Sequence, residues 1–220
     1  WCFSGTSFLE SEIYRINKLG TTSVCGSFSI TFTVNTQPYG TTTAKAYAHD
    51  YASTRYFERG FVITSRIITI TPSQGTVGKL VTVTGNGFGA GEGVKIKFGN
   101  EVTIAIITSG SNGLFNGFFT VNTQGFGTKS VIANGLQDTT NHIGQAEFTV
   151  RGRMTEVTPL TGTVGSRVTV KGDGYKINEQ IVIKFGDTIS ITNGQADYST
   201  GVFAIGFTVD TQMLGTKTIT

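Results

Sequence analysis

Side-chain catalysis needs a nucleophile, a base to activate it and a group to orient that base. For all three roles the 220-residue chain offers two histidines, two cysteines and 14 acidic residues. His49 stands beside Asp50 and His142 follows Asn141, and neither histidine has a second histidine or a cysteine at metal-ligand spacing. Both read as solvated residues of a long connection before a last strand. Asp173, Glu179 and Asp187 are the carboxylates that a calcium site would draw on, but Asp173 and Asp187 are expected near opposite ends of a strand, which argues against a shared ion. Gly85-Asn86-Gly87-Phe88-Gly89 has the glycine density of a phosphate loop without the helix or the lysine such a loop requires. The residues therefore point away from an enzyme and from a bound cofactor.

The bulk composition narrows the class further. Thirty glycines, three prolines, recurring threonine and valine and only 14% charged residues describe an all-β surface protein, not a cytoplasmic globule with charged helices. The net charge of +3 does not indicate nucleic acid, because Lys and Arg are scattered singly and never alternate with aromatics in a stripe. No apolar run reaches the ~18 residues of a membrane helix. Trp1 is not an initiator methionine and no basic-plus-apolar leader precedes it, so the chain reads as a processed product or a section of something longer.

The elements that would position any site are written twice. Ile70-Thr71-Pro72, Gly75, Gly78, Val81-Thr82-Val83, Gly85 and Gly87-Phe88 return as Val157-Thr158-Pro159, Gly162, Gly165, Val168-Thr169-Val170, Gly172 and Gly174-Tyr175, a period of 87 residues. That is too long for most solenoid units and right for small complete domains. Between the two openings, alternating apolar residues at Val81 and Val83, Val94 to Phe98, Val102 to Ile106, Phe115 to Val121, Val131, and Phe148 and Val150 predict seven or so short strands. Asn and Gly clusters separate them, and such strands in under ninety residues predict an immunoglobulin-type β-sandwich. Pro72 and Pro159 remove a ladder donor and should end the first strand, letting the chain cross between sheets. Gly75, Gly78, Gly162 and Gly165 should relieve the kink there, and Gly85, Gly87, Gly172 and Gly174 the turn after the next strand.

Only the back half of the repeat is visible near the start, where Phe32-Thr33-Val34-Asn35-Thr36-Gln37 matches Phe119 to Gln124 and Phe207 to Gln212. An Asx-type turn accounts for the recurring Asn/Asp-Thr-Gln. Ile30 and Ile205 correspond to Gly117, so that strand is expected to bulge or leave a packing gap in the second repeat. This register divides the chain into 1–66, lacking its first strands, 67–153, complete, and 154–220, lacking its last strand. A domain of this size is held by about 4–13 kcal/mol, so the end units should be completed by further polypeptide or by strands from neighbouring molecules. No Pro/Gly/Ser spacer separates the repeats, which predicts sandwiches packed end to end with restricted swing.

The doubled opening resembles the IPT/TIG domain, the immunoglobulin-like, plexin and transcription-factor module, in the form common in bacterial and archaeal surface proteins. The resemblance covers residues 67 to 220 well and residues 1 to 66 only through the back half of the repeat. It implies tandem immunoglobulin-like sandwiches, with the aromatic of Gly87-Phe88 and Gly174-Tyr175 covering one end of each core.

On the repeat register Cys2 aligns with Gly89 and Cys25 with Asn112, in turns that project from the same end of a sandwich. A Cys2–Cys25 disulfide is expected there, contributing about 3 kcal/mol in the chain-entropy picture. The function these features predict is structural. The chain reads as a section of a secreted or cell-surface assembly, such as an S-layer, sheath or extracellular filament, whose partners are copies of itself and a cell-wall or surface glycan. The rival reading is an adhesin stalk or a carbohydrate-binding accessory module of a larger secreted protein.

Overall fold

The computed structural model describes residues 6–10, 20–21, 27–49, 54–100, 103–137 and 143–220. Cys2, Cys25 and His142 lie outside the described residues, and so does the expected disulfide. The described chain is all strand and turn, and no helix is long and apolar enough to cross a membrane. In the first repeat β1 is Thr6–Glu10, β2 Gly20–Thr21, β3 Gly40–His49 and β4 Thr54–Ile63. His49 is thus the last residue of a strand and not part of a loop.

The second repeat carries β5 Arg66–Thr71, β6 Gln74–Gly75, β7 Leu80–Asn86, β8 Gly93–Phe98, β9 Ala105–Thr108, β10 Phe115–Thr120, β11 Gly127–Gly135 and β12 Ile143–Val150. They form two sheets, β10-β7-β5 and β6-β12-β11-β8-β9. β5 stops at Thr71, just before Pro72, and two residues later β6 is hydrogen-bonded to β12 in the other sheet. The chain changes sheet where proline has withdrawn its donor. Alternation then fills the space between the sheets: Val81, Val83, Val94, Ile96, Phe98, Phe119, Val131, Phe148 and Val150 all belong to one buried cluster. Full burial of each such side chain is worth roughly 1.5–3 kcal/mol, which makes this cluster the main source of stability.

In the third repeat β13 is Arg153–Thr158, β14 Arg167–Asp173, β15 Gln180–Phe185, β16 Thr188–Gln195 and β17 Phe203–Thr208. The sheet β13-β14-β17 repeats β5-β7-β10, and the β15-β16 pair repeats β8-β9. A second buried cluster, which includes Val168, Val170, Ile183, Phe203 and Phe207, lies between them. The first repeat contributes the sheet β4-β3-β1-β2, in the order of β12-β11-β8-β9.

Three expectations need correction. Gly85 and Gly172 are not turn residues: each lies inside a strand, β7 or β14. A Cβ on Gly85 would lie 2.4 Å from the Phe115 ring, and one on Gly172 2.3 Å from that of Phe203, so the missing side chain makes room for an aromatic of the neighbouring strand. The strand around Gly117 does not bulge, because β10 pairs with β7 in unbroken register from Phe115↔Gly85 to Thr120↔Leu80. It leaves no gap either. Ile107 fills the place, its Cδ1 only 2.4 Å from where a Gly117 Cβ would be. In the third repeat the sizes are exchanged, with Ile205 reaching across to Gly194, whose Cβ would lie 2.8 Å from the Ile205 Cδ1. Finally, the inward phase of β9 is Ala105 and Ile107, with Ile106 61% exposed, since the strand must turn Ile107 toward the opening above Gly117.

Candidate functional site

Of the residues that the repeated opening singles out, Gly87-Phe88 and Gly174-Tyr175 lie at the joints between repeats. At the first joint β4 ends at Ile63 and β5 begins at Arg66, leaving Thr64 and Ser65 as the connection. The Ser65 hydroxyl donates to the Gly87 carbonyl at 2.6 Å, a buried bond. The Tyr39 amide, from the turn after Asn35-Thr36-Gln37, donates to the Phe88 carbonyl at 3.0 Å, and the Phe88 amide donates to Gly113 at 3.1 Å. Gly87 has φ +72°, and a Cβ on it would lie 2.3 Å from the Thr64 carbonyl oxygen. Only glycine satisfies both the left-handed backbone and that close approach. Phe88 is fully buried and meets Phe115 edge-on at 5.1 Å, so it caps the core and holds the joint with the same residue.

The second joint is built the same way. The Phe126 amide donates to the Tyr175 carbonyl at 2.9 Å, and the Tyr175 amide to Gly201 at 3.1 Å. Tyr175 meets Phe203 edge-on at 5.1 Å. Gly174, at φ +71°, approaches Arg151, whose carbonyl oxygen would be 2.5 Å from an added Cβ. Burial, followed by the carboxylates of Glu179 and Asp173, raises the Tyr175 phenol above its ordinary value and keeps it protonated. The connection itself is tied to both sides. The Arg151 amide donates to Gly75 at 2.8 Å, its guanidinium to Gln74 Oε1 at 2.6 and 3.1 Å, and Arg153 grips Asp173 through two bonds of 3.0 and 3.2 Å. These charged contacts are exposed and individually worth about 0–1 kcal/mol. The backbone bonds and the buried aromatics carry the joint.

The carboxylates considered for calcium do other work. Asp173 holds Arg153, Glu179 accepts from the Lys176 amide at 2.8 Å, and Asp187 lies in the turn between β15 and β16. Glu92, the counterpart of Glu179, is buried and accepts from the Gly89 amide at 2.6 Å and the Gln137 amide at 2.8 Å. Among the described residues no three His, Cys, Asp or Glu side chains gather as metal ligands would. Asp197 accepts from the Ser199 and Thr200 side chains and amides, which hold its carboxyl well below the usual carboxylate range.

Sequence reasoning missed the other half of each joint. Asn-Thr-Gln is more than a local turn: Gln124 donates to the Phe98 carbonyl at 2.9 Å and to Asn122 at 2.8 Å, and Gln212 to Phe185 at 3.0 Å and to Asp210 at 2.8 Å. The glutamine pins the turn to the end of β8 or β15, and the residue two places on, Tyr39 or Phe126, reaches the next repeat. A signal was present, because a glycine follows that residue in all three copies, Gly40, Gly127 and Gly215.

No curated protein matches the chain. Among solved structures, the BSP domain of a biofilm-associated protein is 9% identical with a TM-score of 0.28, the match covering 83% of this chain and 39% of that one. Salmonella alpha-2-macroglobulin reacted with methylamine is 9% identical with a TM-score of 0.26, covering 94% of this chain and 18% of that one. The chain thus spans less than half the length of either. A family model, that of the IPT/TIG domain, matches residues 65–145, most of the second repeat and its Gly87-Phe88 side of the first joint, and the all-strand structure there is that of an immunoglobulin-like β-sandwich.

Proposed function

We propose that this chain is a structural section of a secreted or cell-surface assembly, an S-layer, sheath or extracellular filament, built from immunoglobulin-like units divided at 1–66, 67–153 and 154–220, with a structural and not a catalytic role. The observation that carries the reading is the joint built twice from the same parts. A Gly-aromatic turn of one repeat donates its amide inward and offers its carbonyl to the turn of the repeat before it. A protein selected only to carry one binding domain has no need to fix the geometry of successive units with buried aromatics and left-handed glycines. A spacer or lattice element does, because its function is the distance and angle it maintains. The engagement of Glu92 and Asp197 in turn contacts, and of Asp173 with Arg153 at the joint, supports the same reading. Copies of the chain and a cell-wall or surface glycan are its partners on this view, and an extracellular or surface location follows.

Electron microscopy of the purified full-length protein tests the reading. Ordered arrays or filaments are expected under at least one ionic condition, and discrete monomers under all of them would overturn the assembly role in favour of an adhesin stalk or accessory module.

A further inference from the structure

β9 is the last strand of the five-stranded sheet in the second repeat, and it leaves a backbone edge open. The Ser109 amide donates toward β8, to the Glu92 carbonyl at 2.9 Å. Backbone direction alternates along a strand, so Ala105 and Ile107 also face β8 while the amides and carbonyls of Ile106 and Thr108 point away from the sheet. Among the described residues no strand pairs with them. The second repeat lies between the other two in sequence, so this edge belongs to the unit itself. Natural sheets protect such an edge with charge or proline. This chain does so elsewhere, with Arg55, Glu58 and Arg59 in β4, Arg66 in β5, and Arg153 and Glu156 in β13. The β9 stretch from Thr103 to Ser109, Thr-Ile-Ala-Ile-Ile-Thr-Ser, has neither charge nor proline, and the equivalent edge of the third repeat, β16, is also uncharged. β10, the neighbouring edge, is uncharged too, but Asn116 and Gly117 in its middle make it the poorer pairing strand.

We propose that β9 pairs antiparallel with β9 of a second copy of this chain, about a two-fold axis at Ile107. Ile106 of each copy then stands opposite Thr108 of the other, and each such pair exchanges two hydrogen bonds. A second copy fits because the outward groups of Ile106 and Thr108 present the same order after a two-fold rotation, which makes the edge complementary to itself. The edge also offers no charge to draw a charged partner. Ile106, 61% exposed, gains its counterpart in the other copy as a diagonal neighbour on the same face. Lys95 stands beside Ile106 on β8, but the two copies of Lys95 would lie three strand spacings apart, about 14 Å. That exceeds the screening length of about 8 Å at physiological salt, so their repulsion is weak. The choice of a second copy rests on the assembly role proposed above.

The test is self-association of the full chain, followed by sedimentation and by amide exchange. A dimer should form as the concentration rises, and the Ile106 and Thr108 amides should exchange more slowly with it, while those of Ala105 and Ile107, already turned to β8, stay unchanged. Thr108→Pro removes an outward donor from each copy and spares the ladder to β8, so it should weaken association at least about tenfold. Ile106→Lys, at an exposed position, should weaken it as well without lowering the melting temperature. Phe118→Lys on the β10 edge should leave association unchanged. A dimer of full strength in both β9 variants overturns the proposal. So does a chain whose Ile106 and Thr108 amides exchange freely at every concentration; if that chain still forms arrays, the assembly role stands and only the β9 pairing falls.

Discussion

The residue that most distinguishes this chain from a generic sandwich is the glycine before each joint aromatic. Gly87 and Gly91 have similar positive φ values, +72° and +65°, but a Cβ on Gly91 meets nothing within 4 Å whereas one on Gly87 would strike the Thr64 carbonyl. Gly91→Ala should therefore cost about 1 kcal/mol, the strain of the left-handed backbone alone. Gly87→Ala should cost roughly 2–4 kcal/mol, because the joint must also open. Urea denaturation of both variants separates the two terms, and equal losses would mean that the close approach to Thr64 contributes nothing. Asp197 makes a second prediction at this scale. Its pKa is depressed in the folded chain, so its contribution to stability is present above the ordinary carboxylate range and is lost as the pH falls below about 4. Urea denaturation as a function of pH should show that loss and Asp197→Asn should abolish it, while the Ser199 and Thr200 amide shifts of the folded chain should move only well below the ordinary carboxylate range.

Strand packing obeys a rule of volume conserved across the two sheets. Ile107 facing Gly117 in the second repeat becomes Gly194 facing Ile205 in the third, and in sequence register Gly20 and Ile30 stand at those two positions in the first. Large and small residues exchange strands while the layer keeps its thickness. Gly117→Ile should thus overpack against Ile107 and cost about 1–3 kcal/mol, while Gly117→Ile combined with Ile107→Gly should recover most of the loss. A double-mutant cycle with a coupling energy below about 0.5 kcal/mol would contradict the exchange.

For the whole molecule, the consequence is that successive repeats are joined by ordered backbone. Arg151 and Arg153 are exposed and offer trypsin two cleavage sites, but the Arg151 amide is bonded to Gly75 and Arg153 already belongs to β13. Limited proteolysis of the native chain should leave this joint intact. Gly174→Val, which forces the turn away from Arg151, should expose it, and cutting there would release the second repeat from the third. Rapid cleavage of the unaltered chain at Arg151 or Arg153 would refute an ordered joint.

By itself the sequence determined the fold class and the cadence of the repeats. The doubled Thr-Pro…Gly…Gly-aromatic pattern and its period are properties of a linear string, and strand alternation follows from a period of two that any reader can count. Pro72 was legible as the place where a strand ends, because its missing donor is a covalent fact. Tertiary structure decided what the string cannot encode locally. Gly85 looked like its neighbour Gly87, yet one makes room for an aromatic ring inside a strand and the other permits a turn, a difference set by Phe115 some thirty residues away. Gly117 looked like a defect until Ile107 was found opposite it. The missing spacer marked where the joints lie but not what holds them, since the Tyr39 and Phe126 bonds tie residues of different repeats that come together only when both sandwiches have formed. Residue types and spacing fix what each unit is, and contacts between distant residues fix how one unit holds the next.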